Sequence, residues 1–94
     1  WLDAAEAERW GLVNQVVAPD LVDEEADAWA GRLAAGPTGA YGLVKKLLLE
    51  SGSNGLETQM ELESRAIAGA ARSEDARAGM AAFFEKRDPT FHGR

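Results

Sequence analysis

Helix stop and start signals recur along the whole of this chain, and they leave room only for short helices joined by tight turns. Asp3 with Glu6 three residues later reads as a capping-box variant opening a first helix. Gly11 can close it in the left-handed conformation. Pro19 removes a backbone donor and sets a boundary, after which Asp20 is the candidate cap of a second helix reaching about Ala35. Asp23, Glu24 and Glu25 suit the dipole-positive first turn of that helix, and Val22, Ala26, Trp29, Ala30 and Leu33 fall on one face of it. Gly36-Pro37 ends it and starts a third, whose inner positions are Ala40, Val44, Leu47 and Leu48. The cluster from Ser51 to Gly55 marks a turn, and Asn54 with Glu57 offers a capping pair for a fourth helix running to about Arg72, with Leu56, Met60 and Ile67 inward. Ser73 caps the last helix with Glu74 and Asp75 in its first turn, Ala76, Met80, Phe83 and Phe84 form its stripe, and Asp88-Pro89 ends it.

One stretch does not fit the helical rhythm. Leu12 to Val17 is a short β-branched run, predicted as the one strand of an otherwise helical architecture. A single strand leaves its backbone donors and acceptors unpaired, so this one is expected to pair with a strand outside the chain. Trp1, Trp10, Trp29, Tyr41, Phe83, Phe84 and Phe91 are a heavy aromatic load for a chain of 94 residues, and part of that surface is expected to meet another domain or subunit. The chain starts at Trp1 rather than Met and in mid-pattern, and upstream sequence is expected.

Charge and residue usage remove several classes of function. A net charge of -6 has the wrong sign for binding nucleic acid, and the absence of cysteine excludes disulfide scaffolds, thiolate zinc sites and cysteine nucleophiles. No apolar run approaches the ~20 residues that span a bilayer, and no secretory segment is recognisable, so a cytoplasmic protein is expected. The lone histidine, His92, lies in the tail, which argues against a Ser-His-Asp triad. Glu57, Glu61 and Glu63 lack the Glu-x-x-His pattern of a helix-borne metal site and read as a solvated face pairing with Arg65. Gly36, Gly39 and Gly42 lack the Gly-Lys-Ser/Thr of a phosphate loop, and Gly39 with Gly42 would instead let another helix approach. No catalytic residue and no metal ligand is assigned.

Phe83 and Lys86 stand three apart near the end of the last helix, which would put an aromatic ring and an ammonium on one face. That pair suits a nucleotide, the base on the ring and the charge at a phosphate. The same two residues also suit a core phenylalanine and a lysine favoured by the helix dipole. From the residues alone both readings stand.

Taken in order, Ala7, Gly11-Leu12-Val13-Asn14, Val16-Val17, Gly36-Pro37-Thr38, Lys45, Leu47-Leu48, Glu63, Ser73-Glu74-Asp75, Gly79, Phe83, Glu85-Lys86-Arg87, Pro89, Phe91 and Gly93 resemble the C-terminal part of the crotonase family, the enoyl-CoA hydratases and isomerases. The resemblance runs the length of the chain. It implies that residues 1–19 end a spiral of ββα turns, and that residues 20–94 are the helical region that packs over the spiral and builds trimers or hexamers. It implies that Phe83 and Lys86 contact the adenine and phosphate end of coenzyme A bound mainly by a neighbouring subunit. Ile67 and Ala71 would border the acyl pocket. Ala40-Tyr41-Gly42 after Gly-Pro-Thr resembles ring-isomerising members of the phenylacetate pathway. The family's oxyanion-hole amides and its acid/base carboxylates belong to the spiral, and no residue here matches them.

The expected function is therefore that of a C-terminal portion of an acyl-CoA enzyme, supplying oligomerisation and coenzyme A contacts, with coenzyme A present as part of the substrate and no separate cofactor. The alternative is a free-standing acidic helical interaction module without a ligand.

Overall fold

The computed structural model describes all 94 residues, as five α-helices and one 3-10 turn. The helices are α1 (Ala4–Arg9), α2 (Val22–Ala34), α3 (Thr38–Ser51), α4 (Leu56–Ala70) and α5 (Glu74–Glu85), with the 3-10 turn at Pro19–Leu21 leading into α2. Contacts divide the chain into two units, residues 1–30 and 31–94, with the boundary inside α2.

In the first unit the local signals act as the sequence implies at α1. Asp3 accepts from the Glu6 amide at 2.8 Å, and Glu6 then turns to Arg9. At the other end the Gly11 amide reaches the Glu8 carbonyl and the Leu12 amide the Ala7 carbonyl, with Gly11 at φ 73°. That is the Schellman pattern of hydrogen bonds, and it needs a left-handed residue at this point.

The segment expected as a strand, Leu12 to Val17, bends at residues 12–14 and runs on without a ladder, the partner strand being expected outside the chain. Two side chains hold it within the chain. Glu8 Oε1 accepts from the Val16 amide at 2.9 Å, and Gln15 Oε1 accepts from Trp29 Nε1 at 3.0 Å. Asp20 does not cap α2 either; it lies within the 3-10 turn, whose own N-cap is Ala18.

In the second unit α3 packs against α4. The turn between them is organised differently from the Asn54–Glu57 pair expected. Gly55 is the N-cap residue and makes no side-chain cap, while Asn54 Nδ2 donates to Gln59 Oε1 at 3.0 Å and Gln59 donates in turn to Glu63. Gly36 is not left-handed; a Cβ there would lie 2.2 Å from Tyr41 Oη, so the glycine makes room for the tyrosine in the first turn of α3. Gly42 faces open space, and what Gly39 admits is not a helix but the tail, whose Gly93 carbonyl lies 3.2 Å from where its Cβ would be. Ser73 caps α5 as the sequence implies, accepting from the Ala76 amide at 2.9 Å.

Burial departs furthest from the helical stripes. Ala82 is the one buried apolar residue, and Met80, Phe83 and Phe84 of the expected inner face of α5 are exposed. A closed, folded chain of 10.1 kDa keeps about 5,300 Å² accessible, whereas this one keeps 7756 Å². The stripes are real as patterns, but most of their surface has no partner within these 94 residues.

Candidate functional site

The end of α5 shows why the helix stops where it does. The Arg87 amide reaches the Ala82 carbonyl at 3.0 Å and the Lys86 amide the Phe83 carbonyl at 3.3 Å, the same Schellman pattern that closes α1. In α1 the left-handed position is a glycine. In α5 it is Lys86, at φ 53° and ψ 44°, the single non-glycine residue of the chain with positive φ. A side chain in that conformation costs about 1–2 kcal/mol that glycine would avoid. Lys86 is therefore not on the helix with Phe83, as the spacing suggested, but one step past it. Phe83 is 79% exposed and meets Phe84 edge-on, with ring centroids 5.8 Å apart at 74°.

At the opposite end of α5 lies a cavity of about 690 Å³. Pro37, Gly39, Ala40 and Leu43 line it from the start of α3, Ile67 and Gly69 to Ala71 from the end of α4, Ser73, Asp75, Ala76 and Gly79 from α5, and Phe91, Gly93 and Arg94 from the tail. Its walls are mostly small and apolar, so it favours an uncharged group over an ion. Ile67 and Ala71 both face it. They are not next to the other predicted pair: from Asp75 to Phe83 is eight residues of helix, a rise of about 12 Å.

Asp75 is the residue the sequence did not assign to a site. It is 5% exposed, the one buried charged side chain. Its Oδ1 accepts from the His92 amide at 2.7 Å and its Oδ2 from the Gly93 amide at 2.8 Å, while its own amide donates to the Arg94 carbonyl at 3.0 Å. The sequence marked it as an acid in a first helical turn and as part of the Ser73-Glu74-Asp75 stretch of the resemblance, and neither separates a dipole partner from a tether to a distant segment. Glu74 beside it is exposed and pairs with Arg94.

Glu61 pairs with Arg65 at 2.7 Å on an exposed face, and no three acidic or histidine side chains gather as metal ligands would. His92 is exposed. No helix is long and apolar enough to cross a membrane.

Residues 2–94 match the enoyl-CoA hydratase/isomerase family. Over 93 residues the chain is 39% identical to a 1,2-epoxyphenylacetyl-CoA isomerase of Escherichia coli K12, a match covering 99% of this chain and 36% of that protein. Among solved structures, the chain superposes on an enoyl-CoA hydratase subunit I of Geobacillus kaustophilus HTA426 with a TM-score of 0.90 and 42% identity, covering 98% of this chain and 36% of that one. With an enoyl-CoA hydratase of Polaromonas sp. JS666 the TM-score is 0.91 at 31% identity, covering 97% of this chain and 35% of that one. The chain thus spans about a third of the length of the proteins it matches. With a family match over nearly every residue and helices that superpose on solved members, this chain belongs to the enoyl-CoA hydratase/isomerase, or crotonase, family.

Proposed function

We propose that this chain is the C-terminal helical part of an acyl-CoA enzyme of the enoyl-CoA hydratase/isomerase type, contributing oligomer contacts and a grip on the nucleotide end of coenzyme A. The oxyanion hole and the proton-moving carboxylates lie in a spiral domain upstream, which residues 1–19 complete. The observation that carries the reading is Lys86 in a left-handed position. The chain uses Gly11 for the same motif in α1, so a lysine held there at a conformational cost is retained for its ammonium. Three residues earlier, Phe83, about four-fifths exposed, offers a face on which a base can stack.

In this reading the acyl group lies toward the cavity bordered by Ile67 and Ala71, at least about 12 Å along α5 from Phe83, and the pantetheine arm covers the distance between. The small walls leave room for a bulky group, and the resemblance to an isomerase of 1,2-epoxyphenylacetyl-CoA supports an aromatic one. Chemistry on the thioester would proceed through an enolate held by backbone amides elsewhere. The contribution here is binding, remote from bond-making. The surface left open is about 2,500 Å² beyond that of a closed chain, and it suits contact with the upstream spiral domain and with a neighbouring subunit alike.

Mass spectrometry of the intact native polypeptide, sedimentation, and calorimetric titration with coenzyme A and phenylacetyl-CoA test this together. A mass well above 10.1 kDa, a trimer or hexamer, and binding of both ligands are expected. A 10.1 kDa monomer that ignores coenzyme A would overturn the proposal in favour of the interaction module.

A further inference from the structure

The tail is fixed by constraints that do not depend on one another. A buried carboxylate is costly unless it is hydrogen-bonded, and Asp75 spends both oxygens on backbone amides of the tail, at distances in the charge-assisted range. Gly93 lies at φ 75°, and a Cβ there would fall 2.4 Å from Thr38 Oγ1, so neither its conformation nor its surroundings admit another residue. Farther back, the Phe91 ring lies 3.5 Å from where a Cβ of Gly79 would be. The tail is thereby a wall of the cavity rather than a loose end. Its anchor is a side chain that also lines the cavity.

We propose that Asp75 is the positioning residue of this cavity: by clamping His92 and Gly93 it holds Phe91 in the wall and so sets how large an apolar group the cavity accepts. The inference rests on the reading of the cavity as the place of the acyl group. No neutral isostere replaces the carboxylate. Asparagine offers one acceptor oxygen and would turn its NH₂ against the second tail amide.

The test compares wild type, Asp75→Asn and Phe91→Leu in the intact native polypeptide. Amide hydrogen exchange reads the clamp, and dissociation constants for coenzyme A, acetyl-CoA, phenylacetyl-CoA and free indole read the cavity. In Asp75→Asn, exchange at His92 and Gly93 should rise at least tenfold relative to amides of α3 and α4. The preference for phenylacetyl-CoA over acetyl-CoA should shift at least fivefold, with coenzyme A binding unchanged. Phe91→Leu should shift the same preference with His92 and Gly93 still protected. Should Asp75→Asn fail to fold, Gly93→Ala loosens the same tail with the carboxylate intact and is held to the same two readouts. A loosened tail with unchanged acyl preference, or unchanged exchange in Asp75→Asn, overturns the proposal. If wild type binds no acyl-CoA but binds indole and Asp75→Asn does not, the acyl-CoA reading fails while the clamp stands. If wild type binds neither, the cavity is not a ligand site and the proposal falls.

Discussion

The two ends of α5 are built on opposite terms. At its start every strong group is answered inside the chain: Ser73 caps the helix, Asp75 holds two tail amides, and Gly93 and Gly39 admit the tail at van der Waals range or closer. At its finish the rings of Phe83 and Phe84 are about four-fifths exposed, and a lysine occupies a position that glycine would fill at lower cost. One end is complete as it stands. The other is ordered by its backbone yet has apolar surface and a charge with no partner to match within these 94 residues.

Substitutions can break that contrast, and the largest effect is expected where the chain answers itself. Asp75→Ala leaves two inward amides without their acceptor and should cost about 3 kcal/mol of stability in denaturant unfolding. A loss below about 1 kcal/mol would mean that water replaces the carboxylate and the start of α5 is not the rigid end. Phe83→Ala is the counterpart at the other end. It should weaken acyl-CoA binding by about 2 kcal/mol, the range for a stacked base being ~1–3, while stability changes by less than about 0.5 kcal/mol. Steady-state kinetics should then show a raised KM with kcat nearly unchanged, since the contact is remote from the reacting atoms. A large fall in kcat at constant KM would remove Phe83 from the nucleotide end.

The start of α1 and the start of α5 were both legible in the sequence, because Asp3 and Ser73 act on amides three residues away. Asn54 was not, although it looks the same on paper. Its amide finds Gln59 instead, in a turn whose shape is set by α3 packing on α4. Ser73→Ala accordingly sharpens the local half of the comparison, with an expected loss of about 1 kcal/mol read by thermal unfolding.

The smallest effect is the most discriminating. Lys86→Gly should stabilise the fold by about 0.5–1 kcal/mol, because glycine takes the left-handed position without strain. Calorimetry should show acyl-CoA binding weakened by the same substitution. Stability and affinity moving in opposite directions would identify Lys86 as a residue kept for its charge; a gain in stability with affinity untouched would leave it a capping residue and no more.

By itself the sequence determined where the five helices begin and end to within a few residues, that helices dominate, and which family the chain resembles. Caps, prolines and the left-handed glycine Gly11 act through hydrogen bonds within one turn of helix, so their information is local. Only the tertiary structure decided that Phe83 and Met80 face outward and that Asp75 is buried under the tail. Each of these depends on segments far apart in the chain, or on surface that nothing in it covers. An apolar stripe states that a face must be buried but not against what, and an acid in a first helical turn gives no sign that a backbone seventeen residues on will close over it.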